Sequence, residues 1–464
     1  MRALLSRAYA IPVIGVSLIL DTDHNPPKAD GVRIEVDIPD GARLLKDLTL
    51  DELGVPVDLP GIDRALARGV ELELPAGLYE ELHAALEPVP SGEPIWLDFR
   101  RPFGYLPAIP WERLLQPHLG VPVLRLPFSA VSAPSATDPI EVAVCAPWSG
   151  TSALREFLAT VVPALPAHAH VDVFTADQDV RRQSTPRSDV TFHEPPPDLA
   201  VSLEPPALSS DPVDTAEVEN PWLRWMADTI APDSVDVVHF ICAARLSRNF
   251  GLLDFGAAPT ASQNPGGLRL VSTGQLVACL TRLGAWSVSF AMPDYTSPEH
   301  GEAGLRILAH RMTGLLSGPV TVQAPAAGLA ADLAAAYRFL YAPTPEPAPA
   351  TPTLTLACHP SYLQATPGAT RPPAREEGLA REIESTVQDC TLDQGLLQLE
   401  PHGPTEPPAW LASSQRLLER WTSTLLGTDV DPADSRARAT GATSALSFIA
   451  STIEDSVREN GSDR

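Results

Sequence analysis

The side chains able to do acid, base or nucleophilic chemistry gather at a few points of the sequence. His239 and Cys242 lie inside the apolar stretch DVVHFICAA (236–244). Asp294, Tyr295, Glu299 and His300 follow a second apolar run, WSVSFAM (286–292). Cys358 stands beside His359, and Ser149-Gly150 follows a third run, IEVAVCAP. A thiol or hydroxyl becomes a nucleophile only beside a base, so peptidase or hydrolase chemistry is the class to weigh. Each point also has a plainer reading. His239 inside a strand reads as a packed, hydrogen-bonded histidine rather than a catalytic one. Cys242 reads as a small core hydrophobe, and 294–300 as a solvated loop. His359 has no partner at metal-ligand spacing, and no G-x-S-x-G elbow surrounds Ser149. GLRLVSTG and GLLSG lack a P-loop lysine pattern. No metal and no cofactor is expected.

These residues need strands to deliver them. From about 138, short β-branched runs alternate with amphipathic helices: IEVAVCAP, TSALREFLATVVPAL, VDVF, PWLRWMADTI, DVVHFIC, STGQLVACLTRLG, WSVSFAM, GLRILAHRMTGLLSG and PVTVQA. Ser272 with Gln275 three residues on forms a capping box that starts a helix. Alternation of this kind predicts an α/β fold, a three-layer sandwich with a mostly parallel sheet. In such a sheet the site lies at the carboxyl ends of the strands. The two strand ends that matter are Cys242-Ala243-Ala244 and Ala291-Met292-Pro293. They should run parallel and bring Ala243 and Met292 to one rim. Ala243-Ala244-Arg245 and Ser247-Arg248-Asn249 read as the break and polar turn after the first strand.

Around this domain, 129–341, the chain divides further. Residues 1–128 mix strands with the helix LYEELHAAL as an α+β region. APTPEPAPATP opens a proline-rich linker, 342–373. Residues 374–464 form a helical region with apolar stripes at Leu379/Ile383/Val387, Trp410/Leu417/Trp421 and Leu446/Ile449/Ile453.

The chain has 464 residues and a net charge of -25. Such a surface repels phosphate backbones and anionic lipid, so neither nucleic acid nor membrane is an expected partner. The five cysteines are odd in number and widely spaced, and no C-x-x-C pair occurs. That fits reduced core thiols and a cytoplasmic location. The N-terminal apolar run ends in Asp21-Thr22-Asp23 and reads as a strand rather than a signal peptide.

DVVHFICAA, followed by GLLDF and then STGQLVACLTRLGAWSVSFAM, resembles the CHAT branch of the caspase-like peptidases. The upstream LPAIPWERLL is similar to that family's Leu-Pro-Trp-Glu segment, and the likeness covers roughly residues 100–325. In the family the first strand ends in the catalytic histidine and the next in the catalytic cysteine, with an apolar hairpin strand after the first. Here the histidine position is Ala243, followed by Ala244. The cysteine position is Met292, or Pro293 with a slip of one. The resemblance therefore implies a caspase-like fold without the dyad, around a cleft with an apolar floor that is partly closed. Its lining candidates are His239, Cys242, Ala244, Arg245, Pro293, Asp294, Tyr295 and His300. The implied function is that of an adaptor, scaffold or regulator with a protein or peptide partner, in a bacterial conflict or defence setting beside a partner effector. The alternative is an active hydrolase with a relocated site that uses His239, Asp294, Tyr295 or His300.

Overall fold

A computed structural model describes residues 9–363, except 22–27, 39–43, 55–58, 68–71, 129–138, 149–151, 184–187, 197–217, 219, 232, 248–249, 256–258, 260–269, 294–300, 325–329 and 345. Asp294, Tyr295, His300, Ser149-Gly150, Cys390 and the expected helical region 374–464 lie outside the described residues.

The chain opens with an antiparallel meander, β1 (Val13–Asp21), β2 (Lys28–Asp37) and β3 (Leu44–Thr49). Helices α1 (Leu50–Leu53), α2 (Leu59–Ala67) and α3 (Ala76–Leu86) follow, then β4 (Ile95–Phe99), α4 (Trp111–Leu119) and β5 (Val123–Arg125). The next stretch is β6 (Glu141–Ala146), α5 (Ala153–Glu156), β7 (His170–Thr175), α6 (Gln178–Gln183), β8 (Val190–His193), α7 (Pro221–Ile230) and β9 (Val237–Ile241). After it come β10 (Ala243–Ser247), β11 (Phe250–Asp254), β12 (Leu270–Val271), α8 (Thr273–Leu283), β13 (Ser287–Ala291), α9 (Glu302–Leu315), β14 (Val320–Gln323), α10 (Ala330–Tyr341) and β15 (Leu354–Ala357).

Twelve strands form one sheet in the order β3-β2-β1-β4-β5-β15-β14-β13-β9-β6-β7-β8. The run β8-β7-β6-β9-β13-β14 is parallel throughout. The fold is thus α/β, with a mostly parallel sheet between helical layers. Side chains alternate across a strand, and β9 shows it. Val238, Phe240 and Cys242 join the core under α7, α8 and α9, while Val237 and Ile241 join the core under α5 and α10. Local chemistry sets the helix ends. Asn220 accepts from the backbone N–H groups of Trp222 and Leu223, with Pro221 in the first turn of α7. In α8 Ser272 accepts from Gln275 N, so the forward half of the expected capping box forms, and Gly284 closes the helix at φ 70°.

Two expectations need correction. The expected linker 342–373 contains β15, every residue of which is buried. β15 runs antiparallel to β14 and parallel to β5, so one sheet crosses the 128/129 division. Proline on both sides of TLTLAC hid the strand. Likewise, the break expected after Cys242 is the hairpin strand β10, paired antiparallel with β11. Ala-Ala-Arg-Leu-Ser has no β-branched residue, and its pairing comes from tertiary contact. The hairpin lies hard against α9. A Cβ on Gly251 would stand 1.8 Å from the Gly304 carbonyl oxygen, and one on Gly304 would stand 2.9 Å from the Arg245 backbone.

The PWERLL segment shows what its charged residue does. Glu112 of α4 is fully buried and takes both arms of Arg125 from β5, at 2.5 and 3.0 Å. Arg306 of α9 reaches the same carboxylate at 3.3 Å and pairs with Glu302 one turn earlier on its own helix. Trp111 donates its indole N–H to Leu106 O at 2.9 Å. Burial alone would raise the Glu112 carboxyl, but Arg125 and Arg306 hold it below its ordinary value of 4.5. A carboxyl lowered on folding adds stability above its unfolded pKa, and that stability is lost as the pH falls below about 4.5. Glu112→Gln leaves two buried guanidinium groups short of a charge, so we expect it to destabilise the fold by about 3–5 kcal/mol. Urea unfolding at neutral pH measures this, and the deficit should shrink on acidification.

Candidate functional site at the ends of β9 and β13

β9 and β13 are adjacent and parallel, in a register that pairs Val237 with Ser287 and Ile241 with Ala291. Past the paired residues, Cys242 N donates to Ala291 O at 3.0 Å, and Met292 N donates to Gln323 O at 3.4 Å. Ala243 and Met292 therefore follow directly on neighbouring strands at one carboxyl-end rim. Both are buried, Ala243 at 0% and Met292 at 5% exposure. Pro293 is buried behind Met292.

The space left at this rim is a cavity of about 20 Å³, room for one water molecule. Met292, Ile241, Ala291 and Phe157 give it apolar walls, and Ser152, Glu156, Gln323 and His239 give it polar ones. The polar residues from α5 and β14 were not among the candidates read from sequence. Their signal was weak, because Ser152 and Glu156 sit on the first turn of a stretch read only for its apolar face. That stretch departs from one regular helix. It widens into a π turn over Phe157–Val161 and then tightens into a 3-10 turn over Val162–Ala164. Ser152 Oγ donates to Glu156 Oε1 at 2.7 Å.

His239 is fully buried. Its ring stacks on Phe157 at 4.4 Å, and its Nδ1 lies 3.1 Å from the Tyr337 hydroxyl. Its Nε2 has no hydrogen-bond partner. Desolvation lowers its pKa to about 3, so the ring is neutral over the physiological range. Cys242 belongs to the opposite core, under α7 and α8. Burial, and then the nearby Asp254, push its thiol well above the ordinary value. Burial also raises the thiols of Cys145, Cys279 and Cys358. Ala244 is buried in β10. Arg245 is committed to the hairpin, with its Nε 2.7 Å from a carboxylate oxygen of buried Asp254. The structure thus gathers Ala243, Met292, Pro293 and His239 at the rim and turns Cys242 and Arg245 away from the cavity. No thiol–imidazole pair forms at this rim among the described residues.

No family model matches the chain, and neither does any curated protein.

The buried imidazole makes a measurable claim. The unfolded chain protonates His239 near 6.5 and the folded chain near 3. Stability present above pH 6.5 is therefore lost as the pH falls from there towards 3, by about 1.4 kcal/mol per pH unit for this one group. His239→Phe removes the titration and extends towards the adjacent cavity. We expect it to flatten the acid limb of the stability–pH profile between 6.5 and 4.5, measured by urea unfolding. An unchanged slope would show that the folded chain keeps His239 protonatable.

Proposed function

We propose that the chain is a catalytically inactive caspase-like protein of the CHAT type. It acts as an adaptor, scaffold or regulator through a protein or peptide partner, in a bacterial conflict or defence setting beside a partner effector. The observation that carries this reading is the filled rim. An alanine and a methionine stand at the ends of two adjacent parallel strands, where the resemblance puts an imidazole and a thiolate. The hairpin after the first strand and the buried Trp-Glu upstream of the domain also support it. A net charge of -25 favours a protein partner over nucleic acid. Among the described residues no helix is long and apolar enough to cross a membrane.

A second reading, a hydrolase with a relocated site, has one observation in its favour. The Ser152–Glu156 pair and His239 line the same cavity. Against it stands the cavity's size, about 20 Å³, which admits no peptide.

A peptide-library assay on rigorously purified protein separates the two. We expect no turnover. Turnover abolished by Ser152→Ala or His239→Phe would establish the relocated site instead. Restoring the pair with Ala243→His and Met292→Cys should also fail. Ala243 is fully buried as the first residue of the hairpin, and an imidazole there overpacks the rim by about 1–3 kcal/mol, which a lowered urea midpoint would register. The partner is sought by co-purification with the products of adjacent genes. Deletion of 374–464 should abolish capture, because three apolar stripes beyond a proline-rich segment need a surface to cover them.

A further inference from the structure

Far from the rim, four side chains from three strands converge on one face of the sheet. Glu141 opens β6, His170 and Asp172 lie on β7, and His193 ends β8. The register pairs Glu141 with His170, Asp172 with Thr191, and Phe174 with His193. Paired residues, and residues two apart along a strand, share a face, so all four project to the same side. One ligand atom from each of Glu141, His170 and Asp172 lies within 4.8 Å of the others. His193 Nε2 lies 2.7 Å, and His170 Nε2 3.5 Å, from the same carboxylate oxygen of Asp172.

We propose that Glu141, His170, Asp172 and His193 bind one divalent transition-metal ion of the zinc class. Two imidazole nitrogens address a single carboxylate oxygen, and a second carboxylate stands beside them. Without a cation, His193 shares a proton with Asp172 and His170 Nε2 lies 3.4 Å from Thr191 Oγ1, whereas a cation would draw both imidazoles and both carboxylates onto one centre. The charge balance agrees, since the two carboxylates stand beside a third, Asp236, whose Oδ2 accepts from Glu141 N at 3.0 Å.

The donor set selects the metal. Two imidazoles with carboxylate oxygens suit zinc, while magnesium and calcium prefer all-oxygen shells. Around a tetrahedral zinc ion the ligand atoms stand about 3.4 Å apart. The His193 and His170 nitrogens lie 2.7 and 3.5 Å from the Asp172 oxygen, and the four side chains are only partly buried, so small side-chain rotations bring His193 onto the Glu141, His170 and Asp172 trio. Rigid strands fix the backbone, and Phe174 holds the His193 ring by stacking at 4.7 Å. β8 is the terminal strand of the sheet. An ion here ties that edge to β7 and β6.

The test uses the tag-free full-length protein, stripped with chelator and titrated calorimetrically with zinc chloride, magnesium chloride or calcium chloride. We expect one equivalent of zinc to bind saturably and to raise Tm, with no response to magnesium or calcium. Asp172→Asn and His193→Ala should each weaken zinc binding by about a hundredfold or more, beyond the loss of a merely outer partner. His83→Ala, on an exposed face of α3, should leave it unchanged. NMR on the unmutated protein covers the case of a variant that misfolds, because zinc should shift the imidazole signals of His170 and His193. The proposal is overturned if no saturable binding occurs, if both variants bind as the parent does, or if those imidazole signals stay fixed.

Discussion

Glu112, with no exposure to water, sits between the guanidinium groups of Arg125 and Arg306. Taking those charges out of water is expensive, and only close, multiple contact offsets it. The contact is close because three elements meet there. Arg125 is the residue of β5 that pairs with β15. Arg306 lies on α9 and also donates to Thr355 of β15. Glu112 comes from α4 and anchors both. Arg125 donates as well to the carbonyl oxygens of Pro107 and Ile109, at 3.0 and 3.2 Å. The network therefore sits where the N-terminal strands join the parallel core. An apolar replacement of similar volume would preserve burial, but it would not specify which strand meets which.

The rim depends on this junction through α9. The helix is buried along most of its length, and the β10–β11 hairpin seats on it where Gly251 meets Gly304. With α9 fixed, the hairpin is held down, and its first residue is Ala243. A charged side chain at that place would be buried without water, at a prohibitive desolvation cost unless paired. Alanine and methionine impose no such cost. The apolar residues at the rim and the closing of the rim support one another, since an apolar rim is stable only when covered.

How much of this was legible in the sequence differs by residue. β9 and β13 announced themselves as short apolar runs flanked by helices with caps. β15 did not, because prolines surround it. β10 did not, because its pairing comes from the helix beneath it. Glu302 and Arg306, four apart on α9, look in sequence like a surface ion pair, yet both are buried, and Arg306 reaches the Glu112 carboxylate 194 positions upstream. Tyr337, the partner of His239, is 98 residues away. The Glu141, His170, Asp172 and His193 group comes from three strands, so no single spacing reveals it. Pairing across strands is the information that a linear pattern lacks.

The hydroxyls around His239 bear on whether it acts as a base. Thr321 of β14 donates to Ser289 of β13. Ser289 in turn hydrogen-bonds the Tyr337 hydroxyl and offsets part of the rise that burial gives it. The Tyr337 hydroxyl lies 3.1 Å from His239 Nδ1. Burial lowers the His239 pKa to about 3, which makes the imidazole a weak base at neutral pH. The chain instead crosses three neighbouring strands and ties them to α10, on the side of the sheet where α5 closes the cavity. His239 is a packed member of that layer, stacked on Phe157 and joined to Tyr337.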